Sequence, residues 1–116
     1  MENLTIETFK EKVFDYTQGG EWSFKGTKPA IIDFYTDWCN PCKMIAPILE
    51  ELSTELPQID FYKINTEEQG ELAAIFDLRS IPSILFIPVT GQLQMGMGAF
   101  PKETFKKAIK DIFGIE

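Results

Sequence analysis

The fold is decided by residues 30–43, which read Ala-Ile-Ile-Asp-Phe-Tyr-Thr-Asp-Trp-Cys-Asn-Pro-Cys-Lys. The apolar first half predicts a buried strand, and the sequence after the second cysteine, residues 43–52, predicts a helix. The only two cysteines, Cys39 and Cys42, therefore lie where a strand leads into a helix. Free backbone N–H groups and the helix dipole favour a thiolate there, so Cys39 is expected to react near neutral pH. Pro41 fits this place because it lacks the N–H that would go unpaired in the first helical turn.

Composition excludes several other classes of protein. The chain has 116 residues, 44% hydrophobic and 25% charged, which is typical of one globular domain, and no apolar run is long enough to span a membrane. Eleven basic and eighteen acidic residues give a net charge of −7, which argues against nucleic acid as a partner. The chain has no histidine, which excludes Ser-His-Asp and Cys-His catalysis, and two cysteines supply only half of a Cys₄ zinc site. No metal and no membrane contact are expected.

Strand and helix patterns alternate along the chain before a final hairpin and helix. A short edge strand is expected to end at Leu4–Thr5, and Thr5 is predicted to cap the first helix. Residues 21–24 indicate a turn or a brief strand, and Pro47 is expected to kink the helix after the cysteines. The order predicts an α/β fold with a mixed sheet and helices on both faces. Helices are predicted from Thr5 to about Asp15, from Lys43 to Leu56, from Glu67 to Phe76 and from Pro101 to Phe113; strands are predicted at 30–36, 59–65, 83–87 and 92–98.

The cysteine motif resembles that of the thioredoxin family, and the resemblance spans most of the chain. The family's usual run is Trp-Cys-Gly-Pro-Cys-Lys, where this sequence has Trp38-Cys39-Asn40-Pro41-Cys42-Lys43. Asp33 also stands six residues before the first cysteine, in a strand that is otherwise apolar. A C-x-x-C pair with these neighbours is a strong signal of redox chemistry. The resemblance implies a thioredoxin fold, formed by a single domain over residues 1–116.

The two cysteines are assigned different roles. Cys39, nearer the helix end and expected to be more exposed, attacks a substrate disulfide as a thiolate and forms a mixed disulfide. Cys42, one turn deeper, then attacks Cys39 and releases the reduced substrate. The structural alternative is a pair of buried free cysteines. A stabilising disulfide explains the pair less well, because a four-residue loop constrains the unfolded chain little.

Two charged residues are candidates for supporting the exchange. Asp33 interrupts an apolar strand, and burial without a partner would raise the pKa of its carboxyl. The resemblance implies that Asp33 takes a proton from Cys42 during resolution, and that Lys63 matches the family lysine near this carboxylate. From the sequence pattern alone, two structural alternatives stay open. Asp33 could be exposed on the outer face of the sheet, and Lys63 could simply face solvent.

A second motif, Ile81-Pro82-Ser83, supplies part of the predicted substrate surface. The resemblance implies a cis peptide bond before Pro82, facing the cysteines, which leaves the Ile81 backbone able to pair with an extended substrate. An apolar rim of this kind accepts many substrates. The structural alternatives are an ordinary loop at Ile81–Pro82, core packing for Trp38, and close backbone approach at Gly98. The predicted rim residues are Trp38, Ile81, Pro82, Gly98 and Ala99.

This sequence departs from the family pattern at three places. Asn40 replaces the glycine between the cysteines, and only a small effect on the reduction potential is expected. With Pro41 and no basic residue between the cysteines, the couple is predicted toward the reducing end, near about −270 mV. Tyr35 replaces a tryptophan common in the family, and a packing change alone is expected. Residues 19–28 look longer than in the plainest thioredoxins.

The leading hypothesis is a thiol–disulfide oxidoreductase that reduces protein disulfides. It would act as a monomer without a bound cofactor, recharged by a thioredoxin reductase or a membrane thiol donor. Three alternatives stay open: a disulfide oxidase or isomerase in an oxidising compartment, a redox-inert binding or adaptor module, and a two-thiolate metal site that bridges two chains. Residues 1–4 show no signal-peptide pattern, so a cytoplasmic location is expected, or a periplasmic one if the chain is a trimmed mature form.

Overall fold

The structure is a computed structural model that describes residues 1–116. Five strands and four helices follow one another along the chain, with a short 3₁₀ turn at Tyr16–Gln18. The strands are β1 (Glu2–Asn3), β2 (Ala30–Tyr35), β3 (Asp60–Asn65), β4 (Ser83–Ile87) and β5 (Gln94–Met97). The helices are α1 (Ile6–Lys12), α2 (Asn40–Glu55), α3 (Gly70–Ile75) and α4 (Lys102–Phe113).

The strands form one mixed sheet in the order β1-β3-β2-β4-β5. β1 and β2 both run parallel to β3, whereas β4 is antiparallel to β2 and to β5. The mixed sheet predicted from the order of elements is therefore confirmed. β2 lies at the centre, and five of its six residues are buried. The cysteine loop that follows β2 is consequently held at the middle of one end of the sheet.

Alternate residues of β2 divide the core into two halves, as the period of two in a strand requires. Ile32 and Phe34 point to the face covered by α1 and α3, where they join a cluster of ten buried residues with Phe9 and Leu72. Ile31 points to the opposite face, which α2 and α4 cover with a second cluster of ten. Helices on both faces are thus confirmed. The second cluster contains, among others, Ile45, Leu49, Phe105 and Ile109.

Helix α1 is shorter than predicted. It begins after Thr5, which caps it as expected, but ends at Lys12 rather than near Asp15. The side chain of Asp15 accepts a hydrogen bond from the N–H of Thr17 and so starts the 3₁₀ turn instead. Local side-chain bonds of this kind compete with helix continuation.

Helix α3 begins at Gly70, three residues later than predicted. The buried side chain of Asn65 accepts hydrogen bonds from the N–H groups of Glu67 and Glu68, at 3.0 and 3.3 Å. These bonds fix a turn between β3 and the helix. The prediction that α3 starts at Glu67 is therefore wrong. The predicted start of α2 at Lys43 is also wrong, because α2 begins at Asn40.

The segment of residues 19–28 packs against the core and forms no strand. The Trp22 and Phe14 rings lie 4.9 Å apart between centroids, and the N–H of Lys25 donates to the carbonyl of Val13 at 2.9 Å. Phe24 is also half-buried against this half of the core. Aromatic contacts therefore hold the segment in place.

No helix of the structure combines the length and the apolar character that a membrane crossing requires. The longest helix, α2, has 16 residues and passes through Pro47 without interruption. The kink expected at Pro47 stays a prediction.

Candidate active site

Cys39 and Cys42 are joined by a disulfide, with their Cα atoms 5.2 Å apart. Cys39 is the N-cap residue of α2, and its sulfur accepts a hydrogen bond from the N–H of Cys42 at 3.2 Å. Asn40 and Pro41 form the first two positions of the helix. The expected placement of the pair at a helix N-terminus is confirmed, in its oxidised form.

The two cysteines do not differ in exposure as the sequence suggested. Cys39 is 5% exposed and Cys42 is 4% exposed. The prediction that Cys39 is the more exposed cysteine is therefore wrong for this oxidised form.

Asp33 lies on the face of β2 that α2 covers and is only 4% exposed. Burial raises the pKa of its carboxyl to about 7, and the positive charge of Lys63 acts in the opposite direction. Its Oδ1 atom has no hydrogen-bond partner in the protein. Lys63 is the residue directly opposite Asp33 in the parallel pairing of β2 and β3. The alternative of an aspartate exposed on the pleat is excluded.

A cavity of about 170 Å³ joins Asp33 to the second cysteine. It has room for water, which needs only a small fraction of that volume per molecule. Three of the four residues predicted to carry the chemistry, Asp33, Cys42 and Lys63, therefore line one cavity. The fourth, Cys39, is joined to Cys42 by the disulfide. The lining residues are Asp33, Tyr35, Thr36, Asp37, Cys42, Lys43, Ala46 and Lys63.

Tyr35 makes polar contacts in addition to packing. Its hydroxyl donates to Oδ1 of Asn3 at 3.0 Å, and the Nζ of Lys63 lies 5.7 Å from the centre of its ring. The latter is within the range of a cation–π interaction. The expectation of a packing change alone at Tyr35 is therefore wrong. The aromatic ring was visible in the sequence, but its contact with Lys63 depends on the neighbouring strand.

Trp38 is 67% exposed, which excludes core packing for its side chain. Its indole N–H donates to Oε1 of Glu67, in the turn after β3. Sequence analysis did not predict Glu67 as a contact of the site. Its position just after a strand parallel to β2 was the available signal, because the ends of parallel neighbours meet at one edge of a sheet.

The Ile81–Pro82 peptide bond is cis. The carbonyl of Pro82 accepts a hydrogen bond from the N–H of Gly98 at 3.0 Å. Gly98 has a φ of 113°, a left-handed conformation that favours glycine. Ala99, next to it, is exposed. Ser83 pairs with Met97, so the first residue of β4 lies beside the last residue of β5.

Strand register places these rim residues at the same end of the sheet as the cysteines. Ser83, the first residue of β4, lies opposite Phe34 near the end of β2. Pro82, just before β4, therefore lies at the end of the sheet where the cysteine loop begins, and Gly98, just after β5, lies at the same end.

Two exposed methionines were missed by sequence analysis: Met97, 59% exposed, precedes Gly98, and Met44, 68% exposed, follows Cys42 by two positions. For Met97, an apolar residue at a strand end was the available signal.

Comparison with known proteins gives consistent matches along the chain. Residues 2–111 match the family model named Thioredoxin. The chain is 48% identical to the thioredoxin of Borreliella burgdorferi over 113 residues, which cover 97% of each chain. It is 39% identical to thioredoxin-1 of Saccharomyces cerevisiae over 82 residues, or 71% of this chain and 79% of that one.

A solved structure gives the same result for the fold. The oxidized form of mitochondrial thioredoxin 3 from Saccharomyces cerevisiae superposes with a TM-score of 0.77 and 28% sequence identity, covering 97% of this chain and 95% of that one. The superposition confirms the thioredoxin fold, and the family relatives confirm thiol–disulfide oxidoreductase activity for a chain with this cysteine pair. By sequence, fold and redox-active disulfide, the chain belongs to the thioredoxin family.

Proposed function

We propose that the chain reduces disulfide bonds in other proteins, with Cys39 as nucleophile, Cys42 as resolving cysteine and Asp33 as proton relay. The observation that carries the proposal is a disulfide at the N-terminus of α2 beside a buried carboxyl of raised pKa. The substrate disulfide gains two electrons and two protons and becomes two thiols. The cysteine pair loses the same electrons and protons and becomes the observed disulfide.

Cys39 carries out the first step. In the reduced chain its thiolate is stabilised by the positive end of the α2 dipole and by the N–H of Cys42, which already points at the sulfur. The thiolate attacks one substrate sulfur, the substrate S–S bond breaks, and a mixed disulfide forms. The displaced substrate sulfur leaves as a thiolate and takes a proton from solvent.

Cys42 completes the reaction. Its thiol must first lose a proton, and the Asp33 carboxylate, with a pKa of about 7, can accept that proton near neutral pH. The Cys42 thiolate then attacks Cys39, and the second substrate sulfur is released. Lys63 lies opposite Asp33, and its charge keeps part of the Asp33 population ionised and ready to accept.

The substrate lies across the rim at this end of the sheet. An extended segment pairs with the backbone of Ile81, beside the cis Pro82, in a local strand addition. The exposed ring of Trp38 supplies an apolar surface on the other side of the cysteines. Gly98 and Ala99 leave room for varied side chains because neither carries a large side chain. Such a surface suits a general reductant.

The chain acts as one domain over residues 1–116, as a monomer and without a cofactor of its own. Family membership implies disulfide substrates and a reductase in general terms. The specific donor proposed is a flavin-dependent thioredoxin reductase, with a membrane thiol donor as the alternative. We place the reaction in the cytoplasm, and in the periplasm if the chain is a trimmed mature form. No relative or contact favours the oxidase, adaptor or bridged-metal hypotheses.

Mixed-disulfide trapping tests the proposed roles. Cys42→Ser should accumulate a covalent complex with a disulfide-containing protein such as insulin, released by dithiothreitol and detected by mass spectrometry. Cys39→Ser should form no such complex and should lose reductase activity. Retention of most of the wild-type activity by Cys39→Ser would contradict the assignment of the nucleophile.

A further inference from the structure

We propose that Ser83 is a positioning residue for substrate binding, whose hydroxyl holds the loop of residues 79–81 so that the Ile81 backbone is presented to an extended substrate. The inference rests on the proposed function, because it concerns the substrate surface of that reaction. It assigns a role to a side chain that lies outside the predicted rim.

The first observation is a hydrogen bond across the loop. The hydroxyl of Ser83 donates to the backbone carbonyl of Ser80 at 2.7 Å. This is the usual distance for a bond between a hydroxyl and an oxygen. Ile81 and Pro82 lie between the two partners in the chain. The bond therefore ties together the two ends of the segment that would contact the substrate.

The second observation is that no other hydrogen bond within the protein reaches the backbone of residues 79–81. Before the loop, the N–H of Leu78 donates to a carbonyl of α3 at 3.2 Å. After it, the carbonyl of Pro82 accepts from the N–H of Gly98 at 3.0 Å. Between these two attachments, the hydroxyl of Ser83 is the only group that fixes the backbone by hydrogen bonding.

Packing alone does not enclose this loop. Residues 79–81 line a cavity of about 270 Å³ that lies between them, α3 and the turn after β3. Arg79 and Ser80 are exposed, and Ile81 is half-buried. Because neighbouring side chains leave space on this side, the bond from Ser83 is needed to hold the backbone in one position.

Ser83 itself is held firmly by the sheet. It is the first residue of β4, and its exposed fraction is 0%. It lies opposite Phe34 of β2 on one side and Met97 of β5 on the other. The hydroxyl is therefore carried by the sheet, and through the Ser80 carbonyl it fixes the loop relative to the sheet.

The consequence for binding follows from the backbone of Ile81. Its N–H and carbonyl make no hydrogen bond within the protein, which leaves both groups free to pair with a substrate strand. Groups that are already in place before binding lose less conformational freedom when the substrate arrives. Loss of the Ser83 hydroxyl should therefore weaken the binding of peptide substrates and leave the cysteine chemistry unchanged.

The test is Ser83→Ala, which removes the hydroxyl and little else. The reduced chain is mixed with increasing concentrations of insulin, the reaction is stopped with acid, and the oxidised fraction of the chain is measured by alkylation and mass spectrometry. The insulin concentration that gives half the maximal rate should rise about fivefold. The maximal rate should stay within about twofold of wild type.

A small disulfide without a peptide backbone separates binding from chemistry. Ser83→Ala should reduce dithiobis(nitrobenzoic acid) at a rate within about twofold of wild type, because this substrate has no strand to pair with Ile81.

A methylated peptide tests the backbone pairing itself. A disulfide peptide is compared with an analogue that is methylated on the backbone nitrogens beside each half-cystine. In the wild type, methylation should raise the half-maximal concentration about fivefold, and in Ser83→Ala by less than about twofold. The difference would place the effect of Ser83 on hydrogen bonds to the substrate backbone.

Two further variants separate positioning from structure. Ser83→Thr keeps the hydroxyl and should stay within about twofold of wild type with insulin. Ser53→Ala is the matched control, because the Ser53 hydroxyl also donates at 2.7 Å to a carbonyl three residues earlier, that of Glu50. Ser53 lies near the C-terminal end of α2, and its replacement should leave the reduction of every substrate unchanged. Denaturant unfolding establishes that each variant is folded under the assay conditions.

The outcomes distinguish this inference from the proposed function. If the wild type reduces neither insulin nor the small disulfide, the proposed function fails. If the wild type reduces both and folded Ser83→Ala matches it with insulin, the role of Ser83 fails and the proposed function stands. Equal slowing of Ser83→Ala with both substrates would also overturn the role, and so would equal slowing of Ser83→Thr and Ser83→Ala. A wild type that does not distinguish the methylated peptide would overturn it whether or not the variants fold.

Discussion

Asp33 places a carboxyl under α2, where burial raises its pKa from 3.8 to about 7. The unfolded chain releases this proton near the lower value, and the folded chain keeps it until the higher one. Between the two values the folded state binds more protons, so its stability falls as the pH rises. The loss is complete above about pH 7, which is the cost of burying this carboxyl in its ionised form.

Replacement of this carboxyl should therefore stabilise the fold in a pH-dependent way. Asp33→Asn is expected to raise the free energy of unfolding by up to about 4 kcal/mol at about pH 8, and by little at about pH 4. Denaturant unfolding at both pH values measures the difference, with the exposed Asp111→Asn on α4 as control. An equal gain at the two pH values would show that ionisation of Asp33 is not the cause.

Asn40 is the visible departure from the family motif, yet the structure gives its side chain no hydrogen bond to either cysteine. It is exposed at the first position of α2. Asn40→Gly is therefore expected to shift the reduction potential by less than about 30 mV, which is about 1.4 kcal/mol for two electrons. Equilibration with dithiothreitol measures the shift. A change of more than about 60 mV would assign Asn40 a direct role.

At the scale of elements, α1 depends on its cap because it has only seven residues. The Thr5 hydroxyl accepts from the N–H of Thr8, and the Thr8 hydroxyl accepts from the N–H of Thr5. Thr5→Ala should lower the free energy of unfolding by about 1 kcal/mol. Thr27→Ala, at an exposed loop position, is the control. A thermal unfolding midpoint equal in both variants would speak against the cap.

Element order and type were largely predictable from sequence, and some boundaries were not. β2 and β4 stood out because their apolar runs are buried on both faces. The end of α1 and the start of α3 were misplaced because Asp15 and Asn65 bind the backbone through their side chains. Such bonds form only once the neighbouring turn is in place, so the spacing of hydrophobic residues along the sequence does not reveal them.

The residues of the site that belong to the cysteine motif or to the strand before it were predictable from the sequence. Cys39, Cys42 and Asp33 followed from the sequence, and the strand register places Lys63 opposite Asp33. The contact of Tyr35 with Lys63 and the buried hydroxyl of Thr36 were not predicted. Both depend on how close the end of β2 lies to β3 and to the first turn of α2 in the folded chain. A single sequence gives no direct information about that proximity.

At the scale of the whole molecule, the sheet brings three loop ends to one edge: the cysteine loop after β2, the turn after β3 and the cis-proline loop before β4. The chain has a net charge of −7, and this edge carries the exposed apolar side chains of Trp38 and Met97. This arrangement suits transient contact with many disulfide-containing proteins. Whether electrons flow from the chain to those proteins depends on the potential of the cysteine couple.

The reduction potential of the Cys39–Cys42 couple is the measurement that tests this account most directly. It is obtained by equilibrating the chain with dithiothreitol or glutathione buffers and quantifying the disulfide. The account predicts a value near about −270 mV, at which the chain keeps protein thiols reduced. A value above about −200 mV would contradict it, because the couple would then act as an oxidant or isomerase.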